Sequence, residues 1–168
     1  MSAIKIPATT LVILCGPAGC GKSTFAKKHF LDTQIVSSDR CRALVSDDEN
    51  DMSASSMAFK LFYLLIGMRL TLGRLTVADS TALDRSVRTR LIKLAAKHHF
   101  HTLLVLFNVP LELCLRQNNS RERNVEPSVI KKHMQKLGRI ARAIPEEGYH
   151  WHYILDREQL QQIKMEII

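Results

Sequence analysis

The sequence lacks paired cysteines, a long apolar segment and any tract of low complexity. Its four cysteines, Cys15, Cys20, Cys41 and Cys114, form no CxxC pair and no zinc-ligand spacing, so we expect reduced thiols in a cytoplasmic protein. The longest apolar stretch, around residues 61–68, is too short to span a bilayer, and the N-terminus has no charged region followed by an apolar core and cleavage site. These absences argue against a disulfide scaffold, a membrane protein and a secreted protein.

The composition allows one sizeable core. The chain has 168 residues, of which 46% are hydrophobic and 24% charged, and we expect a single domain over residues 1–168. Lys and Arg outnumber Asp and Glu by 24 to 16, which gives a formal net charge of +8. Such a charge favours polyanionic partners, nucleic acid or phosphorylated metabolites, although it is also compatible with a basic surface that only maintains solubility.

Short runs rich in leucine or β-branched residues alternate with helical patterns along the chain. This alternation predicts an α/β fold, in which a parallel sheet is covered by helices on both faces. The predicted strands are residues 10–15, 34–37, 75–79, 102–109 and 153–156, and the clearest helices are residues 22–30, 57–72, 86–98 and 128–143.

A glycine-rich loop connects the first predicted strand to the first predicted helix. Residues 16–23 read GPAGCGKS, which matches the GxxxxGKS pattern of a P-loop in the required strand-to-helix context. Gly16, Gly19 and Gly21 allow backbone N–H groups to converge on phosphates, and the helix N-terminus adds its positive end. The sequence therefore predicts an ATP-binding cradle.

The side chains of this cradle have predicted roles of their own. Lys22 is expected to bridge the β- and γ-phosphates, and Ser23 to offer its hydroxyl to Mg²⁺. Thr24 supports the loop from the first helical turn, and with Cys20 it completes the predicted nucleotide-binding set. We also expect the helix N-terminus and Lys22 to lower the pKa of the Cys20 thiol, although a buried inert thiol is an equal alternative.

Two residues after the second strand suggest an acceptor site. Asp39 follows the carboxyl end of that strand, where open α/β sheets bind ligands, and it is our candidate general base for an attacking hydroxyl. The alternative is that Asp39 only caps the next helix. Arg42 lies one helical turn further on, where its guanidinium could meet a substrate phosphate.

Further candidates lie in a lid and at the end of the third strand. A polar, arginine-rich stretch carries Arg116, Arg121 and Arg123 and is typical of a mobile lid that closes on the phosphates; an ordinary surface helix is the alternative. Asp79 ends the third strand, so it is either a Walker-B-type ligand for magnesium or a turn carboxylate.

Several of these motifs together resemble one family. The segments GPAGCGKST, SSDRCRALVSDDEND and LTVADST, with the arginine lid, are similar to the 5′-kinase domain of bacterial polynucleotide kinase-phosphatase, over about residues 11–155. The sequence differs from this family at Ala82, where the family's DATN motif has asparagine, and at Arg121, which is displaced by one position.

The resemblance implies a kinase that transfers the γ-phosphate of ATP, or another NTP, to the 5′-OH end of RNA or DNA, with Mg²⁺ or Mn²⁺. It implies that Asp39 is the general base, Arg42 an acceptor-side arginine, and Arg116 and Arg123 lid residues. It also implies a sheet order of 2-3-1-4-5 and a larger repair enzyme with phosphatase and ligase-like modules. A small-molecule kinase and a nucleotide-dependent regulatory ATPase are the alternatives.

Overall fold

The computed structural model describes residues 3–120 and 125–168 of the chain. The strands are β1 (Ala3–Ile6), β2 (Thr10–Cys15), β3 (Ile35–Ser37), β4 (Thr76–Asp79), β5 (His101–Phe107), β6 (Trp151–Leu155) and β7 (Lys164–Ile167). The helices are α1 (Lys22–His29), α2 (Ser38–Ser46), α3 (Ser55–Thr71), α4 (Arg85–Lys97), α5 (Leu111–Asn119), α6 (Pro127–Ala143) and α7 (Arg157–Gln162).

Five parallel strands form the central sheet in the order β3-β4-β2-β5-β6. These are the five predicted strands, and their order is the predicted 2-3-1-4-5. Asp79 at the end of β4 is in register with Leu14 of β2 on one side and Ser37 of β3 on the other. The residues that follow these three strands therefore emerge side by side at the carboxyl edge of the sheet.

Helices cover both faces of this sheet, because alternate residues of the central strand point to opposite sides. Leu11 and Ile13 of β2 belong to a core built with α3, α4 and α6. Val12 and Leu14 belong to a second core that includes residues of α1 and α5. No helix in the described part of the chain is both long and apolar enough to cross a bilayer.

Two strands, β1 and β7, and two helices, α2 and α7, lie outside the predicted elements, while α5 begins in the helical pattern that the sequence shows after Pro110. Strands β1 and β7 form a separate parallel pair, with Ile4 opposite Met165. Each has only four residues, which is too short for a reliable alternating pattern. Helix α7 has six residues, and α2 begins directly after β3, where Ser37 accepts a hydrogen bond from the Arg40 N–H at 3.2 Å.

A buried ion pair attaches α4 to the segment before β6. Arg88 donates from Nη2 to Glu147 Oε1 at 2.6 Å, and the exposed fractions of the two side chains are 2% and 3%. Arg88 also donates from Nη1 to the carbonyl oxygens of Ala82 and Leu83, at 2.9 Å each. The Tyr149 hydroxyl donates to Glu147 Oε2 at 2.7 Å. The pair therefore fixes the loop that follows β4.

We expect Glu147→Gln to lower the free energy of unfolding by about 3 kcal/mol, since it leaves the buried Arg88 cation without its counter-charge. Burial alone would raise the pKa of Glu147, but hydrogen bonds from Arg88 and Tyr149 outweigh it and the pKa is lowered. A lowered carboxyl pKa adds stability above the ordinary value of 4.5, and this stability is lost as the pH falls through the folded-state pKa.

Urea denaturation at about pH 7 and about pH 4 measures both effects. The exposed neighbour Glu146 provides the matched control, Glu146→Gln, which should leave the unfolding midpoint at neutral pH unchanged. Equal midpoints for the Glu147 and Glu146 variants would show that the ion pair does not stabilise the fold.

Candidate functional site

A cleft of about 1290 Å³ opens at the carboxyl edge of the sheet. Its lining comes from the P-loop, the end of β4, and residues of α1, α2, α3, α4, α5, α6 and α7. Of the residues singled out from the sequence, the cleft is lined by Gly19, Cys20, Gly21, Lys22, Ser23, Thr24, Asp39, Arg42 and Asp79. One space thus contains the predicted phosphate cradle and the predicted acceptor residues.

The P-loop needs glycine at two positions for different reasons. Gly21 is the N-cap of α1 and has φ 94°, a left-handed conformation that side chains disfavour. Gly19 has φ 77°, and a Cβ there would lie 2.8 Å from the Cys114 carbonyl oxygen of α5. The loop therefore packs directly against the backbone of α5.

Lys22 is held inside the loop. Its ammonium donates to the carbonyl oxygens of Gly16, at 3.0 Å, and Pro17, at 2.7 Å. The residue is only 9% exposed. This arrangement keeps a positive charge at the cleft side of the loop, where phosphates would meet it.

Ser23 and Asp79 meet at the floor of the cleft. The Ser23 hydroxyl donates to Asp79 Oδ2 at 2.7 Å, although 56 residues separate them in sequence. Asp79 is 6% exposed. The described residues contain no group of three His, Cys, Asp or Glu side chains that could hold a metal. The two oxygens nevertheless fit Mg²⁺, which commonly takes one or two protein ligands and completes its shell with phosphate and water.

Asp39 is held by Arg42. Arg42 Nη1 donates to Asp39 Oδ1 at 2.8 Å, while its Nε donates to Ser55 Oγ at 3.2 Å. The guanidinium also donates to the Glu49 carbonyl oxygen, and Arg42 is 5% exposed. The alternative that Asp39 caps α2 is wrong, because Ser37 occupies the N-cap. Arg42 contacts Asp39, the start of α3 and the turn after α2, so its geometry indicates that it orients the carboxylate.

His133 is a site residue that the sequence did not suggest. Its Nδ1 accepts a hydrogen bond from the Ala18 N–H of the P-loop at 3.2 Å, across a separation of 115 residues. Burial and the nearby Lys22 and Lys136 cations lower the pKa of His133 to about 4, with Asp84 opposing them. A neutral ring is required for this acceptor role. No local pattern marks a single histidine on a helix as a P-loop contact.

The prediction of an acidic Cys20 thiol is wrong. Cys20 is 3% exposed, and burial raises the pKa of its thiol, with the neighbouring Lys22 ammonium offsetting only part of this effect. The Lys22 Nζ lies 3.7 Å from Cys20 Sγ. Desolvation of the thiolate outweighs the nearby positive charge, so the alternative of a buried inert thiol describes this residue.

The lid falls partly outside the described residues, which exclude both Arg121 and Arg123. Arg116 lies on α5 and is exposed, but the residues of this helix and its C-cap that line the cleft are Leu113, Gln117 and Ser120. Arg116 is one helical turn from Leu113 and from Ser120, so it lies next to these residues on the surface of the helix. Arg116 is not itself one of the residues that line the cleft, and its role as a lid residue stays a prediction.

Comparisons with known proteins agree with this geometry. A protein named as a bifunctional polynucleotide kinase/RNA ligase, from Autographa californica nuclear polyhedrosis virus, is 28% identical over 150 residues, covering 80% of this chain and 22% of the relative. The chain thus spans about a fifth of that protein's length.

Solved structures share the fold. A chain of the Pnkp1/Rnl/Hen1 RNA repair complex superimposes with a TM-score of 0.68 at 19% identity, covering 83% of this chain and 46% of that one. The APS kinase CysC of Mycobacterium tuberculosis, solved with AMPPNP and APS, gives 0.56 at 18%, covering 94% and 96%.

A family model described as an AAA domain matches residues 11–142, which is most of the chain and includes the P-loop, Asp39 and Asp79. The five-stranded order with the phosphate loop after the central strand agrees with that match and with the kinase structures above. The chain therefore belongs to this AAA domain family and has the fold of P-loop kinases.

Proposed function

We propose that this protein is a 5′-OH polynucleotide kinase, which transfers the γ-phosphoryl group of ATP to the 5′-hydroxyl end of RNA or DNA. The observation that supports this most directly is the Asp39 carboxylate, fixed by Arg42 in the same cleft as the P-loop. A carboxylate in this position can accept the proton of an acceptor hydroxyl, as a kinase requires.

The P-loop would hold the triphosphate. Backbone N–H groups at the N-terminus of α1 face anionic oxygens, and the Lys22 ammonium neutralises charge that builds up on the transferring group. Lys22 is already positioned by two backbone carbonyls, so little side-chain entropy is lost when phosphates bind.

Ser23 and Asp79 would hold a magnesium ion that accompanies the nucleotide. When bound, the ion supplies positive charge to the phosphate oxygens. The hydrogen bond from Ser23 to Asp79 fixes the hydroxyl oxygen next to the carboxylate before any ligand binds. The buried position of Asp79 also keeps its carboxylate away from bulk water.

Asp39 would accept the proton of the attacking hydroxyl. A bond forms between the 5′ oxygen and the γ-phosphorus, the bond from that phosphorus to the β–γ bridging oxygen breaks, and ADP leaves with the electron pair. The proton moves from the 5′ oxygen to Asp39. Arg42 restricts the carboxylate to one orientation, which is what a positioned base requires.

Two observations favour a nucleic acid over a small alcohol as acceptor. The viral relative is named as a polynucleotide kinase, and the chain carries a formal charge of +8, which suits a polyanion. We further propose that the lid arginines Arg116 and Arg123 act on the phosphates, and that phosphatase or ligase-like modules accompany this domain in a repair enzyme.

Incubation with γ-labelled ATP, Mg²⁺ and 5′-OH oligonucleotides of RNA and of DNA tests the proposal. The expected result is label at the 5′ end of the oligonucleotide. The matched control is the same oligonucleotide with a 5′-phosphate, which should accept no label. Because gluconokinase and APS kinase share the fold, a sugar acid and APS are tested in parallel, and labelling of either in preference to oligonucleotide would overturn the proposal.

A further inference from the structure

A second concave surface lies between α3 and α4, on the face of the sheet opposite α1. It encloses about 460 Å³ and is lined by Lys60, Tyr63, Leu64, Arg90, Lys93, Leu94 and Lys97. We call this surface the α3–α4 groove. Four of its seven residues are cationic, none is acidic, and all four cationic residues are exposed.

The groove adjoins the cleft through neighbouring residues of α3 and α4. Phe59 of α3 and Val87 of α4 line the cleft, and the Phe59 ring lies 5.9 Å from that of Tyr63, between centroids. The Arg90 guanidinium carbon is 4.0 Å from the Tyr63 ring centroid. Ser55, one turn before Phe59, accepts the hydrogen bond from Arg42 that helps to position Asp39.

The cations of the groove are spread along α4, so a strand could meet more than one of them. From Val87 to Lys97, α4 advances ten residues, or about 15 Å at the helical rise. Exposed cations recur along this length at Arg90, Lys93 and Lys97, on one face of the helix because their spacings are three and four. A single strand that left the cleft past Phe59 would meet these charges in turn.

The charge of the surrounding segment is uneven. Residues 52–111 contain eight Lys or Arg and only two acidic residues, Asp79 and Asp84. This leaves a net charge of +6 in the segment, against +8 for the whole chain. Asp79 lies at the floor of the cleft, and Asp84 is within 3.4 Å of the Lys136 ammonium of α6. The cations of the groove therefore have no acidic side chain among the groove's own residues.

We propose that the α3–α4 groove binds the phosphate backbone of the nucleic acid strand, on the 3′ side of the terminal nucleotide that receives the phosphoryl group. Lys60, Arg90, Lys93 and Lys97 contact the phosphates, and the apolar floor at Leu64 and Leu94 faces the strand. The proposal deepens the proposed function and rests on it. It means that longer strands bind more tightly because of a surface that is separate from the residues at the reacting atoms.

The experiment compares two 5′-OH acceptors that share a terminal nucleotide, a dinucleotide and a dodecanucleotide. In Lys93→Ala/Lys97→Ala we expect KM for the dodecanucleotide to rise about tenfold. The dependence of this KM on salt concentration should also weaken. On a log–log plot its slope should fall by about 0.7 for each phosphate that is no longer neutralised. Values of kcat for both acceptors, and KM for the dinucleotide, should change by less than about twofold. Lys60→Ala provides a second variant on α3 with the same expected direction.

The matched control is Arg139→Ala/Arg142→Ala, which removes the same charge from exposed positions of α6. It should leave the KM ratio of the two acceptors unchanged. An equal rise of KM for both acceptors, or an effect of the control as large as that of the groove variant, would overturn the proposal.

A binding measurement separates this inference from the proposed function. If wild type phosphorylates no oligonucleotide, the proposed function fails, but fluorescence anisotropy of a dye-labelled dodecanucleotide still tests the groove. Tighter binding of the oligonucleotide than of a glutamate peptide of equal charge, weakened in the groove variants, supports a nucleic-acid surface. Equal binding of the two ligands would point to an acidic protein partner and overturn the proposal.

Discussion

Lys22→Ala is expected to reduce phosphoryl transfer by about 10³-fold or more, because it removes the cation that stabilises charge on the transferring group. The same change leaves the carbonyl oxygens of Gly16 and Pro17 without their donor. The absence of a donor in a buried loop costs about 1–3 kcal/mol of stability, so loss of structure must be separated from loss of chemistry.

Turnover is therefore measured together with the thermal unfolding midpoint, at a temperature where the variant is fully folded. The exposed Lys97 lies outside the cleft, and Lys97→Ala provides a control for removal of a lysine charge, with a dinucleotide as acceptor. Near-normal turnover in folded Lys22→Ala protein would rule out the P-loop mechanism.

Asp39→Asn is expected to lower kcat by about 10²-fold or more while leaving ATP affinity near that of wild type. The amide has the same shape but does not accept the proton of the acceptor hydroxyl. It retains an oxygen that can accept from Arg42, so the orientation of α2 and the contact to Ser55 should survive. The effect should accordingly fall on kcat.

Asp47→Asn provides the matched control, because Asp47 is an exposed carboxylate at the C-cap of the same helix, with φ 61°. Asparagine tolerates that left-handed conformation, and turnover should not change. ATP affinity is measured by equilibrium titration. A fall in ATP affinity with unchanged kcat in the Asp39 variant would show that Asp39 has a structural role only.

The sequence predicted those parts of the fold and the candidate site that depend on local pattern. The P-loop is a contiguous motif, and strand β2 is an apolar run long enough to identify. The meeting of Ser23 and Asp79 follows from placing β4 next to β2, because parallel strands present their carboxyl ends at one edge. The strand order itself was predicted from the family resemblance, because no single segment of the sequence determines the order of parallel strands.

Contacts between distant side chains could not be predicted in this way. His133 reaches Ala18 only because α6 crosses the loop, and its own segment is an ordinary amphipathic helix. The three partners of Arg42 come from α2, the turn after it and α3, so an exposed substrate contact was the simpler expectation. The lid role of Arg116 rests on motif spacing alone and stays a prediction.

The contact between Gly19 and α5 limits which sequences this phosphate loop can tolerate. The GxxxxGKS pattern leaves position 19 open to any residue, yet here the Cys114 carbonyl oxygen occupies the space of a Cβ. Backbone cannot move aside as the end of a flexible side chain can, so a substitution must displace the whole of α5. In a library of random variants, position 19 should therefore be as intolerant as the motif glycines, and compensating changes should concentrate in α5.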